Sequence, residues 1–293
     1  MLTGINCWAL PSSMSLREQI RFAAEAGYDG IELTLTEDEH LPFYADARFL
    51  QSVRAEAQQA GIGIVSICCS LNWQCSFTSE RKEIRDKALN NCKRQIEVAK
   101  ALGAGAILSL PGFVGLDFTS RDLFADPNDI SYFPGSEVIA YETAWERALC
   151  AYQELSSVAR ENEVLICVEN IWSKFLLSPI EMKLFLDSIA SPWVKAYLDV
   201  GNMMPYGYPE HWIQCLGRER IGRVHLKDYR RGVPGMKGFV PLLTGDVDFS
   251  KVMSSLRSIG YDGYLTVETN AYRHYPRQTA YDCMSAINNI LNG

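Results

Sequence analysis

The chain of 293 residues is 47% hydrophobic and 22% charged, an ordinary balance for a globular protein with ample apolar material for a core. Its formal net charge of −7 excludes the basic face that nucleic acid or an anionic membrane would require, and leaves any recognition of phosphate to local groups. The nine cysteines follow no metal-type spacing and read as small buried hydrophobes in a reducing compartment rather than as redox or metal chemistry. With no basic leader and no long apolar segment, the chain is expected to be cytoplasmic.

Apolar runs of strand length alternate with segments of helical period along the chain. Gly4–Leu10 reads as the first strand. Ser15–Ala26 carries Leu16, Ile20, Phe22, Ala23 and Ala26 at helical spacing and reads as the first helix, capped by Ser15 or Ser13. After the turn Gly27–Gly30 come strand Ile31–Leu33, helix Ala47–Ala60 ended by Gly61, and strand Ile64–Ser70. Helix Glu83–Leu102, ended by Gly103, and strand Ala106–Leu110 follow. The second half repeats the theme with helix Glu142–Asn162, strand Val164–Glu169, and helix Pro179–Ile189, capped by Ser178 with Pro179 at its first position. Strand Val194–Asp199, short helix His211–Leu216 and strand Val224–Lys227 come next. Helix Phe249–Ile259, strand Tyr264–Glu268 and helix Gln278–Leu291 complete the series.

Eight strand–helix units in a chain of this length predict a single-domain (β/α)8 TIM barrel spanning 1–293. A doubly wound open sheet would show a Gly-rich phosphate turn after its first strand, and Pro-Ser-Ser-Met-Ser stands there instead. Gly-Tyr-Asp-Gly occurs at Gly27–Gly30 and again at Gly260–Gly263, each time just before a strand, as equivalent turns of a repeated architecture would. The connection at about 113–141, after the fourth strand, is unusually long and reads as a binding loop or lid on the active face.

Strands five to eight end in Val168-Glu-Asn170, Leu198-Asp-Val-Gly-Asn202, Val224-His-Leu-Lys-Asp228 and Thr266-Val-Glu268. Four consecutive strands therefore deliver Glu169, Asp199, His225 and Glu268 to the C-terminal face of the barrel, where catalytic residues gather. Three carboxylates so close cannot all ionise unaided, and a dication removes that conflict. The mixed oxygen and nitrogen donor set suits Mn2+, Mg2+, Co2+ or Zn2+ better than a thiolate-selective metal. Glu32, on strand two, is a weaker candidate to join or support the set.

These motifs, together with Gly4-Ile-Asn-Cys-Trp-Ala-Leu-Pro11 and Thr244-Gly-Asp-Val-Asp-Phe249, resemble the sugar phosphate isomerase/epimerase family of xylose-isomerase-like barrels over nearly the whole chain. The resemblance implies an isomerase with one divalent metal, Mn2+ foremost, held by Glu169, Asp199, His225 and Glu268. It implies that Glu169 and Glu268 are also the acid/base pair of a ketose 3-epimerase, exchanging the C3 proton through a metal-bound enediolate. Arg231 matches a substrate-binding arginine. Lys227 and the neighbouring Arg230 add positive charge suited to a phosphate. Trp73 and Trp8 are candidates to stack on the sugar.

Free-ketose epimerases of the family carry a His three residues after the strand-six Asp. Asn202 stands there, as in the L-ribulose- and L-xylulose-5-phosphate 3-epimerase branch, and offers a donor and an acceptor to a sugar hydroxyl. An aldose–ketose isomerase and an inosose-type dehydratase are the alternatives within the family. A zinc nuclease on the same barrel is disfavoured by the acidic balance and by the four His. A non-catalytic sugar-binding protein would not need both Glu169 and Glu268 around a metal. The expected partner is a small sugar or sugar phosphate, and a homo-oligomer is compatible with the barrel class.

Overall fold

Eight parallel strands close on themselves in the computed structural model, which describes residues 1–37, 40–119 and 132–293. In the labels used below the barrel strands are β1 (Leu2–Asn6), β2 (Gly30–Thr36), β3 (Gly63–Cys69), β4 (Ala106–Ser109), β5 (Leu165–Glu169), β6 (Val194–Asp199), β7 (Ile221–Leu226) and β8 (Tyr264–Val267). The helices are α1 (Leu16–Glu25), α2 (Ala47–Ala60), α3 (Lys82–Leu102), α4 (Tyr141–Asn162), α5 (Pro179–Ile189), α6 (Pro209–Arg220), α7 (Phe249–Ser258) and α8 (Gln278–Asn292). Pairing of β1 with both β2 and β8 closes the ring. No helix among the described residues is long and apolar enough to cross a membrane.

Local chemistry sets the helix ends. Ser15 and Ser178 each form a capping box, with Glu18 and Glu181 three residues on, so the first free N–H groups of α1 and α5 are satisfied by side chains. Gly61 and Gly103 end α2 and α3 in the left-handed region, at φ 71° and 77°. Alternate strand residues then divide between two environments. Ile5, Ile31 and Leu33 are fully buried in the layer between barrel and helices, where each contributes about 1.5–3 kcal/mol.

The barrel interior is itself two-sided. Cys68, Ala106, Leu108, Cys167 and Tyr197, from β3 to β6, form an apolar half. Asn6, Glu32, His225 and Thr266, from β1, β2, β7 and β8, bring buried polar groups to the other half, with Ser66 of β3 at the boundary. Six of the nine cysteines are buried and all nine are free thiols, as expected of small core residues.

Several boundaries differ from those expected. The first strand stops at Asn6, not Leu10, because Asn6 Oδ1 accepts the Trp8 N–H at 2.8 Å and turns the chain into a short 3-10 helix, Cys7–Ala9. Strand β7 starts at Ile221 and ends at Leu226, which leaves Lys227 beyond it. Helix α6 begins at Pro209, whose ring suits a first helical position, rather than at His211. In the long connection expected at 113–141, residues 120–131 lie outside the described residues. Its flanks are tied down: Val114 and Gly115 donate to Ser173 O, and Ile139 donates to Val114 O.

Glycine is required where β2 starts. A Cβ on Gly30 would lie 2.5 Å from Val65 Cγ2 and 2.8 Å from Tyr264 Cε1, inside the barrel. Gly30→Ala is expected to lower stability by about 1–3 kcal/mol through overpacking. Denaturant unfolding of the two proteins measures it, and an unchanged midpoint would mean that the interior yields freely.

Candidate active site

The four side chains expected to act together do meet. Glu169 is the last residue of β5 and Asp199 the last of β6; His225 lies one residue before the end of β7, and Glu268 follows β8 directly. One donor atom from each lies within 4.8 Å of all the others, and all four residues are buried. His225 Nδ1 is the hub, 2.8 Å from Glu268 Oε2, 3.2 Å from Glu169 Oε1 and 3.9 Å from Asp199 Oδ2.

Asn170 locks two of these strand ends together. Its Nδ2 donates to Asp199 O and its Oδ1 accepts the Asp199 N–H, both at 2.9 Å. Asp199 Oδ1 is satisfied by the backbone N–H groups of Gly201 and Asn202, at 2.8 and 2.7 Å. Asp199 Oδ2 has no hydrogen-bond donor among the described residues, although it is buried. Buried oxygens are almost always partnered. A carboxylate oxygen with no hydrogen bond, 3.7 Å from the Lys227 ammonium and facing two further carboxylates and an imidazole, fits a divalent cation, and this cluster could hold one.

Crowding shows in the acidities. Burial, reinforced by the charges of Glu268 and Asp199, pushes the Glu169 carboxyl up to about 7. Burial, with Glu268, pushes Asp199 up to about 6 against the pull of Lys227. Glu268 goes the other way: burial opposes its charge, but the Lys227 ammonium and His225 hold it well below the usual carboxylate range. Burial also opposes a charge on His225, and Glu32 and Glu268 override it to hold the imidazole well above its ordinary value.

The remaining expected residues divide. Lys227 joins the cluster, with Nζ 2.6 Å from Glu268 Oε1 and 3.7 Å from Asp199 Oδ2, and lies 4.4 Å from the Phe239 ring centroid. Asn202 is adjacent, but its Nδ2 donates to Asn170 O at 3.0 Å. The exposed Arg231 donates to Gly207 O at 2.8 Å and lies over the Tyr208 ring. Arg230 donates to Thr244 O. Trp73 sits in a short 3-10 helix, Ser70–Gln74, against Phe113 and Phe118. Trp8 is 40% exposed. Among the described residues, Arg231, Trp73 and Trp8 make no hydrogen bond or ion pair with the four clustered residues.

Glu32, the weaker candidate to join or support the set, lies beneath His225, its Oε1 2.8 Å from Nε2, surrounded by Asn6, Ser66 and Tyr197. Trp172 and Tyr197 had no role assigned from sequence. Trp172 donates to Asn202 O and stacks on Phe239, with centroids 5.0 Å apart. A signal for Tyr197 was available, since it stands two residues before Asp199 and strand residues two apart share a face.

The profile of the xylose isomerase-like TIM barrel matches residues 20–286. The chain belongs to that family. Among its relatives is an Escherichia coli (strain K12) protein provisionally named L-ribulose-5-phosphate 3-epimerase SgbU, 28% identical over 270 residues, which are 90% of this chain and 87% of that protein. The L-ribulose-5-phosphate 3-epimerase UlaE of Salmonella typhimurium (strain LT2) is 25% identical over 274 residues, 90% of this chain and 86% of its own. The crystal structure of D-psicose 3-epimerase with D-tagatose from Clostridium cellulolyticum H10 superposes with a TM-score of 0.78 over 99% of both chains, at 18% identity, and shares the fold.

For this xylose isomerase-like barrel, linkage gives a sign for the pH dependence of stability. A carboxyl whose value is raised on folding contributes stability that is fully present below its unfolded value, 4.5 for Glu169, and lost as pH rises through about 7. Metal-stripped protein is expected to lose resistance to denaturant from about pH 5 to about pH 7, and Glu169→Gln to flatten that fall. A stability that stays level or rises across this window would contradict the crowding of Glu169 with Glu268 and Asp199.

Proposed function

We propose that the protein is a divalent-metal-dependent 3-epimerase of ketoses or ketose phosphates. The observation that carries this reading is the pair Glu169 and Glu268, delivered by β5 and β8 to one imidazole nitrogen, His225 Nδ1, at 3.2 and 2.8 Å. Inverting a carbon requires taking a proton from one face and returning one to the other. Two carboxylates converging from different strands meet that need, and a single one does not.

Glu169, Asp199, His225 and Glu268 would hold the cation, Mn2+ foremost, which supplies Lewis-acid polarisation of a ketose carbonyl. One Glu takes the C3 proton. The C–H electron pair moves into a C2–C3 double bond, and the carbonyl electrons move onto the C2 oxygen. The other Glu then returns a proton to the opposite face of C3, and the reverse reaction exchanges the two roles. Lys227, held at Glu268 and Asp199, places a positive charge beside the developing oxygen charge.

Asn202, Arg231, Trp73 and Trp8 are assigned to the walls and rim that receive the rest of the substrate. The Asp199-Val-Gly-Asn202 sequence and the two 3-epimerase relatives support a ketose 5-phosphate over a free ketose.

Solvent-deuterium wash-in tests the reaction. With Mn2+ in D2O and a panel of ketoses and ketose 5-phosphates, deuterium is expected at C3. The rate should fall at least about 100-fold in Glu268→Gln, the usual scale for loss of a general acid/base. Deuterium at C1 or C2 would make the protein an aldose–ketose isomerase. Loss of a β-hydroxyl from a cyclic polyol ketone would make it a dehydratase. No exchange in metal-loaded protein across the panel would overturn the epimerase reading.

A further inference from the structure

His225 has two ring nitrogens, and the cluster uses one. Nδ1 faces Glu268, Glu169 and Asp199, while Nε2 points into the barrel, 2.8 Å from Glu32 Oε1. Both residues are fully buried. Water has no access to this contact, so its geometry is set by the protein alone.

The surroundings of Glu32 decide where the proton lies. Asn6 Nδ2 donates to Glu32 Oε1 at 2.6 Å. The Asn6 amide cannot be turned the other way, because its Oδ1 accepts the Trp8 N–H at 2.8 Å. Tyr197 OH donates to Glu32 Oε2 at 2.7 Å, and Ser66 Oγ donates to the same oxygen. Oε1 therefore acts only as an acceptor, whether or not Oε2 carries a proton. The hydrogen between Oε1 and Nε2 belongs to the imidazole, and a neutral imidazole carries only one. In the absence of a cation Nδ1 shares a second proton with Glu268 Oε2, 2.8 Å away; once a cation takes that proton's place, the neutral imidazole keeps its one hydrogen on Nε2 and presents the Nδ1 lone pair to the cluster.

The strand pairings favour the same reading. The β2–β3 register slips between Ile31 and Glu32, which sets Glu32 opposite Ser66. The β6–β7 register slips between Ala196 and Tyr197. Bulges re-aim side chains near active sites, and here both fall at members of the Glu32 network. The Tyr197 ring also lies on the imidazole, with centroids 4.1 Å apart, and limits its rotation.

We propose that Glu32 is the positioning residue of the metal centre: it fixes His225 as the Nε2-protonated tautomer and turns the Nδ1 lone pair toward the cation. The inference rests on the reading of the cluster as a metal site. A Glu32 that merely fills the core would leave the tautomer and the metal affinity indifferent to its removal.

The test uses the full chain labelled with 15N-histidine, stripped of metal and reloaded with Zn2+, which is diamagnetic. His225→Gln identifies the signal. The loaded wild-type protein is expected to show the His225 proton on Nε2 and none on Nδ1. Calorimetry with Mn2+ is expected to show binding weakened about 100-fold in Glu32→Ala and about 10-fold in Glu32→Gln, which keeps an acceptor oxygen. A proton on Nδ1 in the loaded wild type, or Glu32→Ala binding Mn2+ within about threefold of wild type, would overturn the proposal. If Glu32→Ala does not fold, the wild-type spectrum decides alone. Wild-type protein that takes up neither cation would overturn the metal reading and this inference with it. Zn2+ bound with the other tautomer would overturn only this inference.

Discussion

A buried imidazole gripped by carboxylates on both ring nitrogens is the constraint on which this site depends. Glu32 holds Nε2 from below, and Glu268 and Glu169 crowd Nδ1 from above. Each buried ion costs several kcal/mol after relaxation unless it is paired and hydrogen-bonded. Glu32 meets that condition completely: burial opposes its charge, and His225, Ser66 and Tyr197 bring its carboxyl down to about 2. The upper set does not, since Asp199 Oδ2 is left without a donor. The contrast separates a finished structural network from a set of groups still offering a lone pair to something else.

The barrel makes this contrast affordable. Its outer layer of Ile, Leu and Val is continuous, and half of its interior is apolar, so the polar groups need occupy only one side of the bore. The carboxylates then stand at the ends of adjacent strands, where hydrogen bonds between strands hold backbone positions firmly. The clasp of Asn170 on Asp199 and the register of Asp199 against His225 fix three strand ends relative to one another. Side chains placed on such rigid elements keep their separations more precisely than side chains on loops. Lys227, one residue past β7, inserts its ammonium among these same carboxylates, so it is part of the electrostatics of the cluster as much as of any surface that receives phosphate.

Most of the scaffold could be read from the chain because its signals are local. Apolar runs of strand length, serine and proline at helix starts and glycine at helix ends act over a few residues, and α5 with Ser178 and Pro179 begins where they indicate. The four clustered residues were legible for a related reason: each falls at the end of a strand, and parallel strands in a barrel bring equivalent ends together. Errors arose where a side chain competes with the backbone. Asn6 ends β1 early by capping Trp8, and its sequence neighbourhood is apolar enough to hide that. Glu32 was ambiguous for the opposite reason, since a lone Glu on a short strand looks alike whether it faces solvent, a cation or a histidine.

The sequence by itself determined the alternation of strands and helices, the ends of those elements, and the kinds of donor delivered by strands five to eight. These follow from covalent geometry and short-range chemistry. Only the tertiary structure decided which atoms meet. It placed Glu32 under Nε2 of His225, 193 residues away in the chain, left Asp199 Oδ2 without a donor, and turned Lys227 inward and the Arg231 side chain onto Gly207. The reason is closure. Joining β1 to β8 sets which residues share the interior, and one-residue slips in register aim Glu32 and Tyr197 at the same imidazole. Interactions of that range depend on the summed twist and register of all eight strands, which no local stretch of sequence contains.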